Sequence, residues 1–312
     1  MIDRKNTSNF FYENKSSFTI VQGKDAIKHL ERILTTKISD NETQYRHESL
    51  ICDSNGRIID YLSIYIMLDK ILIINNYNKG DDVRKMLAKG IPWSEEVEIL
   101  NGDSSIRKIT VSGKDLSEIF TDTDFSLEDL NHCNWVEDGD NIFSSDKRYK
   151  TMICEILMPE VNLNKIKEKL QKRCFTEIDD EEWNKHRIDI GMIGYEEIND
   201  RIPFNVGMGE LVKMDKGCYP GQEIHARLES RGKQKKALVT LKSKKYITEG
   251  EFKIAEGGKI TITTANKGEG KDSTFFGIIP IKYIKNSKII LLNGIELKIN
   301  KIINFQLLNF HH

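Results

Sequence analysis

Residues 216–223 read Lys-Gly-Cys-Tyr-Pro-Gly-Gln-Glu, and the run 222–230, QEIHARLES, has the character of a helix. A single cysteine stands between two glycines and beside a lysine. Glycine adopts backbone shapes that other residues resist, so Gly217 and Gly221 around Cys218-Tyr219-Pro220 imply a tight loop. A loop that delivers a thiol to the start of a helix places it at the positive end, and Lys216 adds a full charge. Both favour the thiolate. The plain alternative is a glycine-rich turn whose cysteine fills space.

Upstream of this loop, helix and strand signals alternate. Residues 24–36, KDAIKHLERILTT, carry Ala26, Ile27, Leu30, Ile33 and Leu34 at helical spacing. Residues 48–67 read as a hairpin turned at Asn55-Gly56. In its second strand Leu62, Ile64 and Ile66 share one face, and Tyr61, Ser63 and Tyr65 the other, expected to be wet or to line a ligand cavity. A helix through Val83, Met86 and Leu87 stops at Gly90; another carries Leu163, Ile166 and Leu170 inward. Residues 179–191, DDEEWNKHRIDIG, have acids in the first turn and a glycine past the end, which is favourable helix chemistry. Strands interleaved with helices and hairpins imply an α+β class. Beyond Gly232 and the basic KQKK connector only strand signals remain, with a second hairpin at Asn293-Gly294. The expected division is therefore 1–232, an α+β region, and 233–312, a small β-barrel.

The formal net charge is -1 over 312 residues, which argues against whole-molecule attraction to nucleic acid or anionic membrane. No apolar run approaches the ~20 residues of a spanning helix. The opening MIDRKNTSNFF lacks the apolar segment of a signal peptide, so the chain is expected in the cytoplasm. Cys52, Cys133, Cys154, Cys174 and Cys218 are scattered and form no C-x-x-C pair, which excludes a disulfide framework or zinc ribbon as the reading. No grouped thiolates are present for a cluster held by this chain alone. His47 and His225 are lone histidines, read as surface or core residues, and Asn75-Asn76 as a turn or a ligand contact.

The loop 216–223 resembles the signature of the YgfZ family, folate-binding proteins of the aminomethyltransferase superfamily. Three further segments are similar in family order: VQGKDAIKHLERILTTKIS, ICDSNGRIIDYLSIY and HRIDIGMIGYEEINDRIPFNVGM. Together they cover most of 18–240. The resemblance implies two subdomains around a central opening and a pocket for tetrahydrofolate or a one-carbon derivative. It also implies a role with iron–sulfur proteins or their assembly factors. Cys218 then matches the motif cysteine, a reactive thiol and possible transient iron ligand, with Lys216 beside it.

In aminomethyltransferases of the glycine cleavage system the hairpin typically reads Gly-x-Ile-x-Asp-Asp-Leu, and the second aspartate acts near the folate nitrogen. Here Gly56, Ile58, Asp60, Tyr61 and Leu62 match, which puts Tyr61 in that place. A phenol with a pKa near ~10 does not replace a carboxylate at neutral pH; a one-residue slip restores Asp60. The resemblance also places Asp189 where an acidic residue hydrogen-bonds the pterin. Tyr61, Ser63 and Tyr65 are candidate pocket residues. Glu223 and Arg227 are candidate folate contacts, and equally an ordinary i,i+4 helix pair. The expected function is a tetrahydrofolate-binding accessory factor for iron–sulfur proteins. A folate-dependent aminomethyltransferase is the alternative, and a non-catalytic scaffold the third reading.

Overall fold

The computed structural model describes residues 9–38, 44–130, 133–149, 151–231, 234–254, 257–268, 270, 272–286, 289–292 and 294–303. The chain divides into two compact units: Met1–Ser49 with Tyr61–Asp179, and Leu50–Asp60 with Asp180–His312. Gly232, Asn293 and the terminal His311-His312 lie outside the described residues.

The first unit is built from β1 (Phe10–Glu13), β2 (Ser16–Gln22), α1 (Ala26–Glu31), the parts of β3 (Arg46–Cys52) and β4 (Ile58–Ile66) outside Leu50–Asp60, β5 (Ile71–Asn76) and α2 (Gly80–Ala88). It continues with β6 (Glu98–Asn101), β7 (Ile106–Ser112), β8 (Trp135–Asp138), β9 (Asn141–Asp146), β10 (Ile153–Pro159), α3 (Leu163–Lys172) and β11 (Thr176–Glu177). Two sheets result, in the orders β3-β4-β5-β2-β6 and β11-β1-β7-β10-β9-β8. The second sheet packs against α3 in a core that joins Phe11, Ile109, Val111 and Ile156 to Leu163, Ile166 and Leu170, the three residues whose spacing marked them as inward-facing.

α1 is shorter than its apolar spacing predicted. After Glu31 the chain turns, and two β-branched threonines bond to β3 instead of continuing the helix. Thr36 N donates to Ser49 Oγ at 3.2 Å, Thr36 Oγ1 donates to Glu48 O at 2.9 Å, and Thr35 Oγ1 lies 3.4 Å from Ser49 Oγ. α2 ends as expected, with Val83 and Leu87 buried and Gly90 at φ +76°. β4 departs from the alternation read in the sequence. Leu62 and Ile64 are buried, but so are Ser63 and Tyr65, the latter at 0% exposure. Tyr65 packs with Phe18, Leu72, Ile74 and Trp135, so both faces of this interior strand are covered.

The second unit begins with α4 (Asp180–Ile190), α5 (Tyr195–Ile198) and α6 (Gln222–Arg231). β12 (Lys236–Ser243), β13 (Gly250–Lys253), β14 (Lys259–Asn266), β15 (Ser273–Pro280), α7 (Ile281–Asn286), β16 (Ile289–Leu292) and β17 (Ile295–Ile302) follow. The strand signals expected in this region appear as an antiparallel sheet in the order β13-β14-β15-β12-β17-β16, but the end of the run read as strand, Ile281–Asn286, is the short helix α7. Its apolar face gathers Val239, Leu241, Ile260, Ile262, Phe275 and Leu297. α4 closes at Gly191, φ +83°, as its sequence indicated.

One buried ion pair ties α4 and α5 to this sheet. Glu197 accepts from Arg187 Nη1 at 2.6 Å, from Gly194 N at 2.8 Å and from Thr264 Oγ1 at 2.6 Å. Burial pushes the Glu197 carboxyl up, but the guanidinium and these donors outweigh it and hold it below the usual range.

Candidate functional site

In the second unit the 216–223 loop is seated on the tip of the 50–60 hairpin. Asp53 organises that tip: its Oδ1 accepts from Asn55 N at 2.9 Å and Arg57 N at 2.8 Å, and its carbonyl from Gly56 N at 3.0 Å. Gly221, at φ +81°, approaches so closely that a Cβ there would lie 2.5 Å from Gly56 Cα and 2.7 Å from Asp53 O. Gly56 has the same requirement in return, since its own Cβ would meet His225 Nε2 at 2.8 Å. Two glycines thus allow a backbone-on-backbone contact that no side chain permits.

His225 fastens the contact from α6. It is fully buried, with Nε2 2.8 Å from Gly56 O and Nδ1 3.4 Å from Tyr219 Oη. The Phe204 ring meets it edge-on at 6.1 Å. Burial lowers the pKa of His225, against the Gly56 carbonyl and the Asp53 charge. Tyr219 is buried, and its ring carries Lys216 Nζ at 5.7 Å from the centroid. On the outer side Cys218 is exposed, and a Cβ on Gly217 would meet nothing within 4 Å.

The other cysteines sort by burial. Burial pushes the Cys52 thiol up to about 12 and Cys133 to about 11, and raises Cys154 as well. Cys174, like Cys218, is exposed.

In the first unit, Tyr61 faces a cluster of charges that the sequence reading missed. Its hydroxyl donates to Glu48 Oε1 at 2.5 Å. Glu48 takes a bidentate pair from Arg148, at 2.8 and 2.7 Å. Arg148 Nε also donates to both oxygens of Asp146, at 3.0 and 3.1 Å. Arg46 Nη1 reaches Glu155 Oε2 at 2.7 Å, and Lys108 Nζ meets Glu155 Oε1 at 2.5 Å. Three cations therefore face three carboxylates. Burial pushes the Asp146 carboxyl up, but Arg148 and Arg46 outweigh it and hold it low; Lys108 and Arg46 do the same for Glu155. Burial and the Glu48 charge raise the Tyr61 phenol well above its ordinary range, so it stays neutral. With its carboxylates paired by cations, this cluster braces the strands that carry it. The signal was present as Arg46-x-Glu48, an alternation that puts both charges on one strand face.

The remaining candidates sort as follows. Asp60 is buried and lies on the opposite strand face from Tyr61, with Leu62 and Ile64. Tyr65 is sealed in the core with its hydroxyl 3.0 Å from Ser144 Oγ, and Ser63 is buried; neither forms a wet face. Asp189 is exposed on α4. Glu223 and Arg227 are both exposed on α6, and no ion pair joins them among the described residues. Asn76 serves a turn, its Oδ1 accepting from Asn78 N at 2.9 Å. His47 is buried, edge-on to Tyr45. A cavity of about 1000 Å³ also lies within the second unit, lined by Phe204, Glu210, Met214, Leu228, Glu229 and Lys235 among others. Burial raises the pKa of the Glu210 carboxyl there.

Among the described residues no group of three or more His, Cys, Asp and Glu side chains is placed to hold a metal ion. No helix among them is long and apolar enough to cross a membrane.

No family model matches the chain. Among curated proteins, an aminomethyltransferase of Caldanaerobacter subterraneus subsp. tengcongensis is 25% identical over 259 residues, covering 75% of this chain and 66% of that protein. An aminomethyltransferase of Listeria monocytogenes is 24% identical over 230 residues, 70% of this chain and 63% of that protein. One from Clostridium botulinum is 31% identical over a shorter stretch of 118 residues, 36% of this chain and 30% of that protein. The chain spans just under two thirds of the length of the first two relatives. Among solved structures, the glycine cleavage system aminomethyltransferase T from Bartonella henselae superposes with a TM-score of 0.81 at 16% identity, covering 96% of this chain and 86% of that one. The chain has the mixed α+β fold of an aminomethyltransferase.

Proposed function

We propose that this chain binds a reduced folate, tetrahydrofolate or a one-carbon derivative, on an aminomethyltransferase fold and works in one-carbon chemistry. The observation that carries this reading is the match of the fold along 96% of the chain, with relatives named aminomethyltransferase at 23–34% identity beside it. Asp189 is the proposed pterin acceptor. The aminopyrimidine edge of a pterin presents adjacent N–H groups, and a carboxylate can accept two such bonds. Ser63 and Tyr65, sealed in the first unit, are not part of the proposal.

Calorimetric titration with tetrahydrofolate tests it. Asp189→Ala is expected to weaken binding by ~1–3 kcal/mol. Equal affinity for the variant overturns the placement; a loss confined to Glu210→Gln would move the pterin into the cavity of the second unit.

The relatives favour folate-dependent aminomethyl transfer as the activity. A second reading, an accessory factor for iron–sulfur proteins, is favoured by the exposed Cys218 in its loop and by Tyr61 at the place of the expected aspartate. Folate-dependent transfer from a lipoylated carrier protein separates the two. Turnover by the unmodified chain supports the first. No turnover, with Cys218→Ser failing to restore iron–sulfur enzyme activity in cells lacking the native factor, supports the second. In that reading the thiol exchanges sulfur or binds iron transiently with a partner.

A further inference from the structure

We propose that Asn55 is a site of self-modification, deamidation to aspartate and isoaspartate by the neighbouring Gly56 nitrogen, and that the seating of the 216–223 loop governs its rate. The inference goes beyond both readings of the activity, since its reactants are two adjacent residues of the hairpin and water. The Gly56 nitrogen gives up its proton and attacks Asn55 Cγ. The new C–N bond closes a cyclic imide, and the side-chain nitrogen leaves as ammonia. Water then opens the imide at either carbonyl. One opening gives aspartate; the other gives isoaspartate, whose main chain runs through the side-chain methylene. No oxidant, reductant or cofactor enters. Glycine suits the nucleophile's place because no Cβ obstructs the ring closure.

The structure holds the two reacting groups differently. Asn55 is exposed and Gly56 is buried. The electrophile thus stands in water, with Nδ2 3.4 Å from Asp53 Oδ2. The nucleophile is tied down. Gly56 N donates to Asp53 O at 3.0 Å, and Gly56 O, which can only accept, takes the proton of His225 Nε2 at 2.8 Å. Gly221 lies over that tie: a Cβ there would fall 2.7 Å from Gly56 N and 2.7 Å from Asp53 O, which leaves little room for the amide plane to turn. Asp53 holds the flanks, its Oδ1 accepting from Asn55 N and Arg57 N. Attack on Cγ therefore requires the tip to leave its seat. Loop opening is fast beside this chemistry, so the rate follows the population of the unseated tip. Isoaspartate lengthens the main chain just before Gly56 and carries that glycine off the position that Gly221 and His225 fit, so the change locks the tip out of its seat.

A second pair of the same type serves as the internal reference. Asn101 is exposed, and Gly102 N donates to Phe18 O at 2.8 Å, so this amide is held within the first unit. The full chain is incubated at neutral pH and followed by peptide mass mapping, with isoaspartate labelled by a protein isoaspartyl methyltransferase. Asn55 is expected to deamidate at least roughly tenfold more slowly in the folded chain than in the same chain in urea. Gly221→Ala is expected to accelerate Asn55 about 5–30-fold, the change in open population that a side chain in the left-handed conformation brings. Asn101 is expected to keep its unmodified rate. Gly217→Ala, a substitution into open space, is expected to change neither. If Gly221→Ala does not fold, His225→Phe takes its place: it removes the donor to Gly56 O and is expected to accelerate Asn55 alone.

Equal rates at Asn55 in the folded chain and in urea overturn the proposal. So does an unmodified Asn55 rate in the folded variant. Equal acceleration at Asn101 overturns it as well, because it marks general unfolding and not release of the tip.

Discussion

Gly221 combines a left-handed φ of +81° with a Cβ position 2.5 Å from Gly56 Cα. The conformation alone costs a side-chain-bearing residue about 1–2 kcal/mol, and here the obstructing atom is backbone and cannot swing aside. Gly221→Ala is therefore expected to destabilise the second unit by at least that amount, read as a lowered urea midpoint; an unchanged midpoint refutes the packing described. Gly217, with open space at its Cβ position, is the control and is expected to tolerate alanine far better. The sequence marked both glycines as loop residues but could not tell them apart, because the difference lies in a partner 165 positions away, Gly56 against Gly221. The exposure of Cys218 was legible, since flanking glycines and a lysine describe an outward loop. The burial of His225 was not, since one histidine on a mostly polar helix carries no periodic signal.

At the scale of elements, the ion-pair cluster joins β3, β9 and β10 of the first unit through Arg46, Glu48, Asp146, Arg148 and Glu155. Arg148→Met leaves Asp146 and Glu48 without the guanidinium that both engage. A broken buried pair of this kind costs about 3–5 kcal/mol, so chemical denaturation of the variant is expected to show a loss of that size, and a loss below ~1 kcal/mol marks the cluster as surface-like. Acid works on the same groups. Asp146 and Glu155 titrate below their unfolded range, so their contribution is present above ~4 and is lost as pH falls from there through the folded values. Legibility at this scale followed coverage. α2, α3, α4 and most of the late strands, each with one covered face or a clear stop signal, were read correctly; the helix α7 at Ile281–Asn286 was read as strand. β4 was misread because alternation assumes one wet face, and an interior strand whose second face meets Trp135 and a charge cluster has none. α1 was overextended because apolar spacing continues past Glu31 while two threonines divert the backbone to β3.

Over the whole molecule, the two units respond to acid in different windows. His186 on α4 is pushed down to about 4 by burial, and His225 on α6 is lowered by burial too. Both belong to the second unit. A histidine held neutral in the fold but protonated near ~6.5 when unfolded removes stability as pH falls from ~6.5 toward its folded value. The second unit is thus expected to weaken between pH 7 and 5, while the carboxylates of the first unit keep their contribution to ~4. Hydrogen exchange at pH 7 and 5, corrected for intrinsic rates, checks this: protection should fall across 180–303 before it falls in β7, β9 and β10. Trp183, stacked 6.0 Å from His186, supplies a fluorescence reporter of the same event.

The composition of the second unit, residues 50–60 with 180–312, also sets an order of events during synthesis. The hairpin tip leaves the ribosome 169 residues before the helix that receives it, counting from Gly56 to His225. At about 5–20 residues per second that is a wait of roughly 8–34 s. For that interval the seat for Gly221 and His225 is offered to whatever nascent chain or chaperone is nearby, and stalling translation between the two segments should expose it to capture.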